Sequence, residues 1–219
     1  LRDKGGSERV RETIGWRKYY GAEKRTSLFF LSPANIRDTA FLTFDYGETG
    51  KDDAQWLYLP AARKVRRISA TDRGNFFVGT DFTYEDIKKE TKISAKDFTF
   101  KTIGVEDVDG HRCFAVEATP VNDKIARELG YAKAISWFDA EIWMSRRSEY
   151  MDAQGKTLRR ILSQDIEQID GIWTAKRVTA TDLKSGHATE LLLTSVDYKT
   201  PVDDARFTEQ ALVHGVREH

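Results

Sequence analysis

Four histidines, one pair of carboxylates and one run of cations are the residues here whose types and spacing could do chemistry. His111 and His187 stand beside hairpin turns, and His214 and His219 lie in the tail. None has the HxH or HExxH spacing of metal ligands, and CxxC, GxSxG, phosphate-loop and GxGxxG patterns do not occur. Surface histidines at turns account for all four. The expectation is therefore no metal site, no catalytic residue, no cofactor and no enzyme, although a triad assembled from distant residues would leave no mark on spacing.

Asp139 and Glu141 lie two apart, on the parity of Ile135, Trp137 and Trp143, in an aromatic stretch that reads as one strand, Ala134–Met144. Such a pair could do acid–base work, with one pKa raised beside tryptophan. The plainer account, favoured here, is a face that opens to solvent where both carboxylates pair with nearby arginines. Arg63, Lys64, Arg66 and Arg67 could meet nucleic-acid phosphates, anionic lipid headgroups or an acidic partner. Lys+Arg and Asp+Glu are equal at 35 each, so there is no whole-protein footprint for nucleic acid. The short five-stranded barrel of an OB fold is missing as well. An edge strand guarded by charge is the plainer reading of that run.

The elements that must position these residues are mostly strands. The stretch Gln55–Lys88 has three parts: an aromatic strand, Gln55–Leu59; a turn at Pro60-Ala61-Ala62 and a basic strand, Arg63–Ile68; then a flap that begins to look helical. Before it, Leu1–Lys4, Gly5-Gly6 and Ser7–Tyr19 read as a hairpin, with Val10, Ile14 and Trp16 on one parity. Arg25–Leu31 and Thr39–Tyr46 carry large apolar residues on both parities, which predicts strands covered on both sides. Asp109-Gly110 joins Phe98–Asp107 to His111–Thr119, and Pro120–Gly130 reads as a short helix. A meander follows: Ala134–Met144, Glu149–Asp152, Thr157–Gln168, Ile172–Leu183 and Ala188–Tyr198. The tail Asp203–Leu212 predicts a helical turn setting Phe207 and Leu212 against a sheet edge.

That is roughly a dozen strands in one sheet within a single domain, residues 1–219. A long antiparallel sheet curls, and no long helix exists to fill the hollow. Hydrophobic residues are 40% and charged residues 32%, a globular balance. With Cys113 alone, no intrachain disulfide forms, and no run of 18 apolar residues spans a membrane. The aromatic set Trp16, Phe30, Phe44, Trp56, Tyr58, Phe98, Phe100 and Trp137 is a core on the simplest account. On the alternative it lines a cavity, with Phe76, Phe77, Phe82, Tyr84 and Ile87 as a lid. An acyl chain gains about 0.8 kcal/mol per CH₂ removed from water, on the order of 10 kcal/mol for one chain. No catalytic group is needed for that.

Six segments, in order, resemble the LolA-like superfamily, specifically its outer membrane lipoprotein-sorting group. They are DKGGSERVRE (Asp3–Glu12), FFLSPANIRDTAFLTF (Phe29–Phe44), WLYLPAARKVRRI (Trp56–Ile68), FVGTDFTYEDI (Phe77–Ile87), DGIWTAKRVTATDLKSGHATEL (Asp170–Leu191) and RFTEQAL (Arg206–Leu212). The resemblance covers nearly the whole chain. It implies an all-β, mainly antiparallel, half-open barrel with short helices forming a lid over an apolar cavity. It implies a periplasmic monomer that carries acyl chains of lipoproteins or other lipids, with an inner-membrane exporter as a further partner. It also implies a helix and an early strand ahead of Leu1, after a signal peptide. An arginine that latches the lid belongs to the same picture, with Arg63 and Arg73 as candidates. On this reading Arg63, Lys64, Arg66 and Arg67 contact a headgroup or a membrane partner.

Overall fold

In the computed structural model, residues 1–47, 51–89 and 95–216 are described. They hold three short helices, α1 (Tyr84–Lys89), α2 (Asp123–Leu129) and α3 (Glu209–His214), and twelve strands. All strand pairs are antiparallel. The all-β fold expected from the alternating sequence is what forms. The strands divide into two sheets, however, where the sequence suggested one. The chain correspondingly splits into two compact units, Arg9–Asp72 with Pro201–His219, and Leu1–Glu8 with Arg73–Thr200. The strand alternation could not show this split, because it fixes which side chains share a face but not which strands pair.

The first unit is a five-stranded meander of β1 (Glu12–Tyr20), β2 (Glu23–Ser32), β3 (Ala40–Asp45), β4 (Ala54–Leu59) and β5 (Lys64–Arg67), paired in chain order. One face collects Phe29, Ala40, Leu42 and Tyr58, with Trp16, Phe44, Trp56 and Val65 packed against them. The C-terminal segment closes that face. Thr208 caps α3 by accepting the Ala211 N–H at 3.1 Å, and Phe207 and Leu212 drop into the cluster, 1% and 0% exposed. They lie on the sheet face, not against its edge. Each such side chain contributes roughly 1.5–3 kcal/mol of burial. The opposite face, with Phe30, Phe41 and Leu57, is buried too, as the two-sided apolar pattern of β2 and β3 requires.

The second unit is a seven-stranded meander: β6 (Phe98–Val108), β7 (His111–Pro120), β8 (Lys133–Asp139), β9 (Ser145–Met151), β10 (Thr157–Ile169), β11 (Ile172–Asp182) and β12 (His187–Leu192). Two of its hairpins turn on Asp-Gly pairs with positive φ at both residues, Asp109-Gly110 at 52° and 81° and Asp170-Gly171 at 52° and 81°. That is the type I′ geometry which matches strand twist. Asn122 caps α2 through the Ile125 N–H at 3.0 Å, and Gly130 ends it at φ 79°.

Three boundaries differ from the sequence reading. The stretch Ala134–Met144 is not one strand, because the Asp139 carboxylate accepts the N–H groups of Glu141 and Ile142 at 2.8 and 3.2 Å and turns the chain. Trp143 then sits at φ 58° and is 68% exposed. The last strand stops at Leu192 and does not reach Tyr198. The N-terminal hairpin shrinks to single bridges of Arg2 with Glu8 and with Ala188. There the Asp3 carboxylate binds the N–H groups of Gly5 and Ser7 at 2.9 Å each, and β1 starts only at Glu12.

Candidate functional site

The seven-stranded unit carries a flap, and its construction begins at Thr83. The Thr83 hydroxyl accepts the Asp86 N–H at 3.1 Å, and the Asp86 carboxylate accepts the Thr83 N–H at 2.7 Å. This reciprocal cap starts the single-turn-and-a-half helix α1, too short to persist by itself. Just before it, Phe77 accepts the Thr80 N–H and donates to the Phe82 carbonyl. Val78 and Gly79 take left-handed φ of 47° and 69° to make that turn. Phe77 and Tyr84 meet edge to face at 5.4 Å. Phe82 and Ile87 pack onto Ile161 of β10, Val178 and Ala180 of β11, and Tyr150 of β9.

Arg159 clamps this flap to the sheet. It is 6% exposed on β10, and its guanidinium makes a two-pronged ion pair with Asp86, one prong being Nη2 to Oδ1 at 3.3 Å. Nη1 also donates to the Asp81 carbonyl at 3.3 Å. The guanidinium lies over the Tyr150 ring at 4.3 Å, and Tyr150 meets Tyr131 at 4.9 Å. Burial works against the charge of Arg159, but Asp86 outweighs it and keeps the guanidinium protonated. Burial pushes the phenol pKa of Tyr150 and Tyr131 well up, so both remain neutral. A second tie joins the flap to β12: Asp81 receives the Thr189 hydroxyl at 2.6 Å, and its N–H donates back at 3.0 Å.

Arg73 holds the neck of the flap. Its guanidinium donates to Asp97 at 3.0 Å and lies 3.2 Å from Glu128 and 3.9 Å from Glu85. Burial again opposes the charge, and Glu85 and Asp97 more than offset it. Next to it the Gly74 N–H donates to the Glu128 carbonyl at 3.0 Å. A Cβ at Gly74 would meet the Leu129 carbonyl oxygen at 2.5 Å, so only glycine fits against the end of α2.

The structure gathers some expected residues and separates others. Trp16, Phe44, Trp56 and Tyr58 share the cluster under α3, while Phe30 is on the other face of the same sheet. In the seven-stranded unit Phe98 packs with Leu129, Ala118 and Ala134. Trp137 sits with Val108 and Cys113, donates its indole N–H to Glu106 at 2.9 Å, and carries Arg147 over its ring at 3.8 Å. Phe100 is 46% exposed. Of the flap aromatics Phe77, Phe82 and Tyr84 are buried and Phe76 is 47% exposed. Arg63 occupies a left-handed turn at φ 48°, with Lys64, Arg66 and Arg67 exposed beyond it. Asp139 is buried and bound by Arg146 at 2.7 Å, with the His111 Nδ1 at 3.5 Å, while Glu141 is exposed in the turn; the two carboxylates do not form a pair on one strand face. His219 lies outside the described residues. A small pocket of about 90 Å³, lined by Phe29, Phe30, Leu31, Arg37, Asp38 and Val216, falls well below the ~300–1,000 Å³ of small-molecule sites.

Arg159 and Asp86 were missed as a pair. One signal was present: Thr83-x-x-Asp86 has capping-box spacing. Arg159 sits on the parity of Ile161 and Ser163, and that side of β10 is the more deeply buried.

The family model matching residues 22–214 is described as "-like: Uncharacterized protein", and the chain belongs to that family. No curated protein matches. Among solved structures, a Vibrio parahaemolyticus domain described as an outer membrane lipoprotein-sorting protein superposes with a TM-score of 0.86 at 26% identity, covering 97% of this chain and 87% of that one. A DUF1329 family protein from Desulfovibrio piger superposes at 0.85 with 28% identity, covering 95% and 86%. The chain has a LolA-like fold. A LolA superfamily protein from Nitrosomonas europaea shares the fold at 0.64 and 19% identity, covering 95% and 86%. The flap, clamp and neck all lie inside the stretch that the family model spans.

Proposed function

We propose that this LolA-like chain is a periplasmic, non-catalytic binding or carrier domain for lipoprotein acyl chains or other lipids. The observation that carries the reading is the flap. Its apolar underside, Phe82 and Ile87, rests on Tyr150, Ile161, Val178 and Ala180. What fixes it there is a buried, charge-matched clamp, Arg159 with Asp86, beside the hydrogen-bonded tie of Asp81 to Thr189. Two phenylalanine-sized contacts and an ion pair are a reversible attachment. A buried pair gains little net stability over water but punishes any geometry that separates the partners. An acyl chain that replaces Phe82 and Ile87 on the sheet recovers the apolar burial at about 0.8 kcal/mol per CH₂. Binding by burial needs no nucleophile, base or metal.

Native mass spectrometry with lipid extraction, on protein purified from a Gram-negative periplasm, tests this. Lipid should accompany the wild type and be lost in Phe82→Asp. Lipid-free wild type with a membrane exporter captured in its place would overturn the reading in favour of an interaction module that docks a protein segment.

A further inference from the structure

We infer that the β4–β5 end of the five-stranded sheet is a docking rim for anionic bilayer surfaces. This goes beyond lipid carriage and stands whether or not the flap admits an acyl chain. Residues 54–71 contain no Asp or Glu, yet they include Arg63, Lys64, Arg66 and Arg67. Among the described residues, Arg63, Lys64 and Arg67 have no carboxylate in ion-pair range, and Arg66 reaches only the half-buried Asp72 at 3.8 Å. In a chain with equal numbers of cations and anions, that is a local imbalance with a definite place.

The antiparallel register brings that place together. Phe29 pairs with Ala40, Ala40 with Tyr58 and Tyr58 with Val65. The β2–β3 loop, the β4–β5 turn and the start of β1 therefore share one end of the sheet. Three apolar side chains stand exposed there, Val10 at 78%, Leu31 at 40% and Leu59 at 39%. The turn itself, Pro60-Ala61-Ala62, is apolar and leads straight into the cations. The carboxylates at this end, Glu12 and Asp38, are outnumbered by Arg37, Arg63 and Lys64 alone.

The chemistry favours a membrane over the alternatives. Pairing puts Arg66 on the face of Leu57 and Arg67 on that of Trp56, so the charge surrounds the rim and does not form a stripe to follow a nucleic-acid backbone. A protein hot spot wants exposed aromatic or arginine anchors seated in a fitted surface. Here the aromatic residues of β4, Trp56 and Tyr58, are turned into the core, the apolar part of the tip is only Leu, Pro and Ala, and Arg63 stands exposed beside it. Small apolar side chains ringed by cations suit the boundary between phosphate headgroups and acyl chains.

The test is partition of the full chain onto unilamellar vesicles, phosphatidylcholine alone against phosphatidylcholine mixed with phosphatidylglycerol, at low and high salt. Wild type should favour the anionic vesicles at least ~10-fold at low salt and lose the preference at high salt. The triple variant Arg63→Ser, Lys64→Ser, Arg67→Ser should bind about 100-fold more weakly, at roughly fivefold per cation. Leu59→Asp should weaken binding to both vesicle types. A charge-matched control, Lys4→Ser, Lys156→Ser, Lys184→Ser, should bind as wild type. An equal loss in the control, or wild type that does not distinguish the vesicles, overturns the inference. Unfolding midpoints of all variants guard against misfolding, and lipid loading by native mass spectrometry reports on the carrier reading separately.

Discussion

Arg159 and Arg73 are each under a tenth exposed and meet carboxylates within the seven-stranded unit. Arg63, Lys64 and Arg67 of the five-stranded unit are exposed and meet none among the described residues. The same side-chain chemistry thus serves two purposes. A buried guanidinium costs several kcal/mol to desolvate, so it persists only where partners are built for it. What it then supplies is position: the flap can sit in one place. An exposed guanidinium has little effect on folding and remains available to a surface that brings its own anions.

Arg159→Leu tests that contrast most severely. It leaves Asp86 buried and uncompensated, and should cost about 3–5 kcal/mol in chemical denaturation. It should also raise hydrogen exchange across α1. Adding Asp86→Leu removes the stranded charge but also the acceptor for the Thr83 N–H, so it should restore only part of the loss; a double variant as unstable as the single one would mean that the pair does more than position the flap. Gly74→Ala comes next at roughly 1–3 kcal/mol, because its methyl group runs into backbone and not into a yielding side chain. Protease cleavage of the flap should rise with it.

Asp139→Asn should cost about 1–2 kcal/mol, and its pH dependence sharpens the comparison. Burial tends to raise this carboxyl's pKa, but the N–H groups of Glu141 and Ile142 and the Arg146 guanidinium outweigh it and hold the pKa below its ordinary value. The stabilisation is therefore complete above the unfolded-state pKa and is lost as pH falls through the folded one. Wild type and Asp139→Asn should begin to converge in unfolding midpoint as pH falls below about 4, the unfolded-state pKa, and meet only below the lower folded one. The smallest effect belongs to the exposed set. Removing Arg63, Lys64 and Arg67 together should leave stability within ~0.5 kcal/mol; a larger loss would show that the rim serves the fold.

Alternation and turn residues made most strands legible. Asp109-Gly110 and Asp170-Gly171 name their own hairpins, and the two-sided apolar runs of β2 and β3 announce buried strands. Phe82, Tyr84 and Ile87 identified the flap because strand periodicity stops there. What attaches it was not legible. Arg159 and Asp86 are 73 positions apart, and an arginine in a strand reads as solvent-facing until a partner is known. The division into two sheets was hidden for a similar reason, since neighbouring strands look alike whether or not they pair. Asp139 misled because its side chain ends the strand, a local hydrogen-bonding choice that competes with the ladder and leaves no mark on periodicity.

The neck has one more consequence. Arg73 and Asp97 join points 24 residues apart at 3.0 Å. The segment between them is already a closed loop, so moving its middle does not require its ends to meet again. The entropy of loop closure, which grows as (3/2)RT ln n, is met once, when Arg73 and Asp97 come together in folding. The flap is thereby leashed: Arg73 and Asp97 hold its root independently of the Arg159 clamp at its far side.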